Sequence, residues 1–502
     1  MPAQHSPAAR RADALGTVEM QRLPRSVVAE DELEPDAPMP TPANLPVPMD
    51  AVRGNVVEPI TSSDVVYAPP VTLQSFQALD DDNSTLPPDT NGAAGPAHVV
   101  TVLNTSIRIQ DRDGSTLRTV SIGSFFDSVR KLGGVFDPHI VFDAHANQWL
   151  ICAITLLTGT NTPRAGSAVL LGLSRTSNPL LSWDLYRFDA PDGGVWLDFP
   201  EMGYDDDSIV VAANLYNVSN SKFSRATVFV INRNDPAGAY ARLDHDPDSG
   251  GSLSPTASLD AGGKQVFLVQ KWNGNFQGRG YLRLYSVTAA GIVPIAFAQA
   301  TVPWADTPAN VDFAPQLGRT EKIETGDSRM AAAVLRNGNI WASQTVFLPA
   351  AAPSRSAVNW WRLATNGDVV ARGTIEDPTS TFFYARSSIA VNRNDAALIG
   401  CSRFSATTLP SAVFSFVGAA AAGPVIFKDG ESSYLKTGFG TSNRWGDYSA
   451  TCVDPINDLD FWTIQEYAST PTNTYDRWGT WWARVAAPTI QSTPSRHRSV
   501  KH

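Results

Sequence analysis

The strongest constraint on this chain is a self-similar unit that occurs seven times: a short apolar strand, a turn rich in Asn, Asp and Gly, and a second apolar strand. Copies include FDPHIVFDAHANQWLICAI, LDFPEMGYDDDSIVVAANLY, ARSSIAVNRNDAALIGCSRF and RWGDYSATCVDPINDLDFWTIQEY. The first apolar residues after the turns are Val99, Trp149, Ile209, Val266, Ile340, Leu398 and Phe461. Most of these intervals exceed the period of common propeller repeats, about 40–50 residues, so extended loops are expected. One or two further strand-like runs follow most copies, for example SIRIQDR and LRTVSI, or VNWWRLA and VVARGTI. A single such unit cannot bury its apolar faces alone, whereas stacked neighbours bury a continuous core. The spacing therefore predicts an all-β fold, a single seven-bladed β-propeller of four-stranded blades over residues 71–486. A radial arrangement of that kind leaves few sheet edges open to pairing.

The last copy ends at TWWARV with three clear strands, so one is missing. VTLQSFQAL, running from Val71 to Leu79, alternates like a strand and precedes the first repeat. It is expected to close the ring as the outer strand of the last blade. Residues 1–70 hold 12 of the 36 prolines and few aromatics, a composition that cannot offset its ordering entropy. They read as a disordered Pro/Ala-rich leader, and 487–502 as a flexible tail.

Net charge −10 and a pI near 5.2 disfavour a nucleic-acid surface, which needs a basic face. No segment reaches the apolar length that spans a bilayer. Cys152, Cys401 and Cys452 lie in apolar runs and read as small buried hydrophobes. No complete metalloprotease, nucleophile-elbow or phosphate-loop motif occurs. The sequence requires no cofactor, and a monomer is expected.

PPDTNGAAGP, GVFDPHIVFDAHANQW, DFAPQLG and NRWGDYSATCVDPINDLDFWTIQEYA followed by WGTWWARV resemble a largely uncharacterised bacterial family of exported, sialidase-like β-propeller proteins. The resemblance covers residues 75–486. It implies a secreted or cell-surface propeller and carries no catalytic assignment. The N-terminal stretch shows no apolar export signal, which leaves a cytoplasmic location open. Sialidases also carry Ser-x-Asp-x-Gly-x-Thr-Trp turns, and this chain has none.

The sharpest functional signal is positional. The residue just before each first strand is Asp89, Asp137, Asp198, Ser254, Asp327, Arg386 or Asp447. In a propeller these positions face one funnel. Two like charges about 6 Å apart at an effective dielectric near 20 repel by roughly 3 kcal/mol, or about 2 pKa units. The carboxylates therefore need compensation: Arg386, Arg444 and Arg329, backbone N–H groups, protonation, or a Ca²⁺ ion. Three readings stand. Each Asp caps its own turn. Alternatively, Asp89, Asp198, Arg386, Arg444 and Trp445 bind a glycan or another ligand, with Asp89, Asp137 and Asp447 holding Ca²⁺. Thirdly, Asp137, Asp327 and Asp447 act as acid and base in glycan cleavage. Trp196, Trp272, Trp304 and Trp445 adjoin Gly, Asn, Asp or Pro and are expected on loops. The insertion from Thr301 to Thr325 is expected to overhang the funnel. Asp454, Asn457, Asp458 and Asp460 form an oxygen-rich turn for which simple turn capping is the plainer role.

Overall fold

A computed structural model describes residues 10–25, 45–49, 51, 66–67, 70–131, 133–156, 167–190, 194–308, 310–418, 423–437, 441–472 and 475–491. The alternating Val, Ile, Phe and Thr runs form strands, and the Asn/Asp/Gly clusters form the hairpin turns between them. Among the described residues, seven antiparallel four-strand meanders follow one another. Their first strands include Asn91–Ala94, Gly134–Asp143, Val195–Tyr204, Ser254–Pro255, Met330–Arg336, Phe383–Val391 and Ala450–Val453. The seven anchor residues each lie at or near the start of a second strand and are at most 1% exposed. Every sheet is open; Ala257–Ser258 bridges the third and fifth in parallel pairing.

Adjacent sheets share apolar cores. Trp149, Leu170 and Val100 join the first and second sheets, Leu171 and Val211 the second and third, and Leu268 and Val228 the third and fourth. The same holds from fourth to fifth (Leu284, Trp361), fifth to sixth (Trp341, Ile399) and sixth to seventh (Leu398, Phe461). Trp462 and Trp482 of the seventh sheet then pack against Val99 and Ala94 of the first. Thr72–Asp80 pairs antiparallel with Arg477–Val485 as the outermost strand of the seventh sheet.

Parts of the expected leader carry structure instead. Ala14–Glu19 adds a fifth strand to the second sheet, paired with Ser182–Asp189, and Val18 and the adjoining Met20 are buried. Arg10–Arg11 pairs with Ala239–Asp244. Leu45 and Val47 cover Trp272, whose Nε1–H donates to the Pro46 carbonyl at 3.1 Å. Local alternation and sheet edges with unpaired N–H groups outweigh the mean composition here. Residues 1–9, 26–44, 50, 52–65, 68–69 and 492–502 lie outside the described residues.

The insertion holds Trp304, fully buried, and a small ladder of Asp312–Ala314 with Ile323–Glu324. Phe313, Phe347, Phe383 and Trp445 form a separate apolar cluster under it. Among the described residues no helix is long and apolar enough to cross a membrane. The three cysteines are free. Burial pushes the Cys401 thiol up to about 12, as expected of a packed hydrophobe.

Candidate functional site

The first strands are not smooth, and Asp137, Asp198 and Arg386 lie inside them rather than just before them. Asp89, Asp137, Phe199, Ser252 and Arg386 have φ between 50° and 56°, a left-handed conformation uncommon for residues other than glycine and costing about 1–3 kcal/mol where strained. Ladder irregularities fall at the same places: Asp198 to Glu201 opposite Asn214 to Ala212, and Ala385 to Ser388 opposite Ser402 to Gly400. An extra residue in one strand re-aims its side chain. Here it happens at the same end of successive sheets.

Side chains from neighbouring sheets hold these backbones. The N–H of Asp137 donates to Asn104 Oδ1 at 2.7 Å, that of Phe199 to Asp137 Oδ2 at 3.2 Å, and that of Ser252 to Asn214 Oδ1 at 2.8 Å. Arg386 N–H donates to Thr345 Oγ1 at 3.1 Å, and Asp447 N–H to Asp89 Oδ1 at 2.8 Å. The aspartates therefore do not each cap their own turn. Asp89 and Asp137 accept from another sheet, from Asp447 N–H and Phe199 N–H, the latter at an irregularity of its strand. Asp327 is the exception: it accepts from Arg329 N–H at 2.6 Å and pairs with the same residue's guanidinium at 2.6 Å.

The charges converge. Asp447 Oδ1 lies 2.6 Å from Arg386 Nη1, and its Oδ2 3.4 Å from Arg444 Nη2. Glu324 completes the square, with Arg386 at 3.3 Å and Arg444 at 2.8 Å. Arg329 lies over the Phe199 ring at 4.1 Å. Phe199 stacks on Tyr448, which meets His139 edge-on and donates its hydroxyl to Asp137 Oδ2 at 3.3 Å. Gly326 has φ 71°, and a Cβ there would lie 2.7 Å from the Arg386 guanidinium, so the close approach of that cation depends on glycine.

Environment separates the carboxyls. Burial alone would raise Asp447, but the guanidinium groups of Arg386, Arg444 and Arg329 override it and hold Asp447 at about 2. Asp137 is pushed well above the carboxylate range, first by burial and then by Asp89, Asp198 and Asp447. Burial pushes Asp198 up to about 7 against the pull of Arg329. Burial also raises Glu201 and Glu466, and it raises Glu324 in spite of Arg444 and Arg386. The site thus sets Asp447, held low by arginines, beside Asp137, pushed high by burial and neighbouring acids, with Asp198 near its midpoint at neutral pH.

Of the residues singled out by sequence, Asp89, Asp137, Asp198, Arg386, Arg444 and Asp447 come together, and Asp327 joins through Arg329. Ser254 is displaced by two positions from the left-handed place that Ser252 occupies. Trp445 is not a ligand platform: it is fully buried against Phe404 and Tyr434, and its Nε1–H donates to Ser402 Oγ at 3.1 Å. Trp196, Trp272 and Trp304 are buried too. Among the described residues, no three His, Cys, Asp or Glu side chains converge as a metal ion would need. The Ca²⁺ set of Asp89, Asp137 and Asp447 is correspondingly taken up by other partners: Asp89 accepts from Asn104 and Asp447 N–H, and Asp447 faces two guanidinium groups. In the turn, Asp454 pairs with Arg112 and Arg484, Asp458 with Arg336 and Asp460 with Arg484, so its acids are ion-paired. The residues that sequence reasoning missed are Glu324, Glu201, Tyr448 and Phe199. Only Glu324 had a signal, its place in the long insertion.

No family model matches the chain, and no curated protein matches its sequence. Distant likenesses exist among solved structures. A Trypanosoma rangeli sialidase in complex with sialic acid is 14% identical over 70% of this chain and 59% of its own, with a TM-score of 0.38. The phage phi92 endosialidase is 8% identical over 86% of this chain and 71% of its own, at 0.41. A Fusarium graminearum α-L-arabinofuranosidase is 9% identical over 83% of this chain and 98% of its own, at 0.40. The chain spans less than two thirds of the trypanosomal enzyme's length. Likenesses this distant assign no ligand and no residue role.

Proposed function

We propose that the seven sheets are the blades of a closed propeller, and that its axial funnel binds a glycan or another polyhydroxylated ligand outside the cell or at its surface. The cyclic order of shared cores, returning from the seventh sheet to the first, supports the ring. One observation carries the binding reading: the alternation of carboxylate and guanidinium groups in the funnel stays in reach of solvent. The side chains of Arg329, Asp447 and Arg444 are 20%, 19% and 14% exposed. A sugar hydroxyl both donates and accepts, so vicinal hydroxyls can bridge an Asp447 oxygen and an Arg444 N–H. Five backbones held in left-handed conformations at one end of the fold support a preorganised site.

A second reading has its own observation. Asp137, raised by burial, and Asp447, held low by arginines, are two carboxyls pushed apart in the way that the acid and base of glycan cleavage are. A thermal-shift screen of the full chain against a glycan panel, repeated with Arg444→Gln and Asp447→Asn, tests both. Binding predicts a Tm increase with at least one glycan that both variants lose. Cleavage predicts, in addition, turnover of that glycan that falls by orders of magnitude in Asp447→Asn. No Tm shift with any glycan overturns the binding reading.

A further inference from the structure

Beyond the funnel, the first strands enclose a second space. A cavity of about 360 Å³ runs along them toward the hairpin turns. Its walls are largely small and apolar, including Ala93, Ile140, Met202, Ala332, Ile389 and Ala450. Asp89, Asp137, Asp198, Asp447, Phe199 and Tyr448 are not in its walls. The stack of Phe199, Tyr448 and His139 therefore divides the charged funnel from this apolar channel, with His139 facing the channel side. At the far end His145, Pro455 and Asp458 line the mouth.

Among the buried acidic and basic residues of the wall, Asp143 and Arg336 are ion-paired, to Arg233 and Asp458, and two others are not. His139 and Glu201 are 9% and 6% exposed, and His139 Nε2 and Glu201 Oε1 have no hydrogen-bond partner among the described residues. Asn91 fixes the imidazole. Its Oδ1 accepts from Ile140 N–H at 3.0 Å, so its Nδ2 donates to His139 Nδ1 at 3.3 Å, and the ring hydrogen sits on Nε2. A buried polar atom left without a partner costs about 1–3 kcal/mol, a penalty that a ligand can remove.

We infer that the axial channel is a second binding site, for a small neutral amphiphile whose hydroxyl head is held by His139 and Glu201 and whose apolar body lies against Ala332, Ile389 and Ala450. The head accepts from His139 Nε2–H and exchanges a hydrogen bond with Glu201 Oε1, either as donor or as acceptor. Burial lowers His139 to about 4, so the imidazole is neutral at pH 7, and burial raises Glu201, which favours its uncharged form. At His139 and Glu201 a charged head group would lose its hydration with no counter-charge beside it, since the one arginine of the wall, Arg336, is paired with Asp458 at the far end. The cavity falls in the size range of small-molecule sites, apolar with a few placed polar groups. The site is separate from the funnel and does not depend on what the funnel binds.

The test is ligand-observed NMR titration of the full chain at pH 7 with 1-octanol, and with octanoate as the charged analogue. Saturable octanol binding is expected, with octanoate weaker by about tenfold or more. Ala332→Leu should abolish octanol binding by filling the channel. His139→Phe, which keeps the edge contact to Tyr448, should weaken it by about tenfold. A channel that holds water only would give no saturable octanol binding, and that result overturns the inference. So does octanol binding that is unchanged in His139→Phe, even if Ala332→Leu fails to fold.

Discussion

At the turn end of the sheets, Asp111, Asp143, Asp205 and Asp454 each accept the backbone N–H two positions on, at 2.8 to 3.0 Å. At the other end, axial in the proposed ring, Asp89 and Asp137 accept N–H groups from other sheets, and Asp447 is shared between two arginines from different parts of the chain. The residue type is the same at both ends, and the free-energy problem differs. A turn carboxylate has a local donor close at hand, and the buried Asp143 and Asp454 add arginines to it, Arg233 in one case and Arg112 with Arg484 in the other. An axial carboxylate gives up most of its water and draws compensation from several sheets at once. A solvent-exposed turn acid and an axial acid should therefore respond very differently to loss of one partner.

The largest effect is expected from Arg386→Met. It strips Asp447 and Glu324 of a shared cation in a buried setting, and breaking such a pair costs about 3–5 kcal/mol. Urea denaturation measures it; a loss below about 1 kcal/mol, the value of an exposed pair, would erase the contrast between the two ends.

Asp198→Asn should have an intermediate effect whose direction depends on pH. Asp198 titrates near 7 when folded and near 4 when unfolded. Between these values the folded state holds the extra proton, so this residue's contribution to stability falls as pH rises from about 4 to about 7 and then stays level. Asparagine removes that loss. Asp198→Asn should melt above wild type at pH 8 and match it at pH 4. Asp447 works in the opposite direction: its contribution is present above pH 4 and fades as pH falls toward 2. A pH-independent effect of Asp198→Asn would mean that the axial end does not tune its carboxyls.

Asp207→Ala should have the smallest effect. Its pair with Lys264 has both side chains more than half exposed, 53% and 72%, and pairs of that kind contribute about 1 kcal/mol or less. A cost equal to that of Arg386→Met would show that turn and axis are built alike.

The seven units could be read from the sequence because alternation and Asx turns act over short stretches of chain. The axial acids could be read because a fixed offset from a strand start fixes position in a repeat. What lay beyond reach were contacts made across the repeat. Glu324 reaches Arg386 and Arg444 from an insertion that has no counterpart in the other units. Glu201 sits inside a run that reads as an ordinary buried strand. Trp445 stands among loop-forming residues, yet Phe404, Tyr434 and Ser402 enclose it. The N-terminal region departs from expectation for a related reason. Its mean composition conceals Ala14–Glu19, whose partner strand Ser182–Asp189 lies two repeats further along the chain.

The pairing of Thr72–Asp80 with Arg477–Val485 also sets an order of events during synthesis. The first of these strands leaves the ribosome before any of the seven repeats, and its partner emerges after the last of them. Throughout that interval it is an unpaired edge, the kind of surface that seeks other chains. The seventh sheet is completed only when Arg477–Val485 emerges, so its completion is a late step that depends on a contact spanning most of the chain. A nascent chain of this protein should need protection at its N-terminal strand for most of its translation, and truncated products should aggregate through that strand.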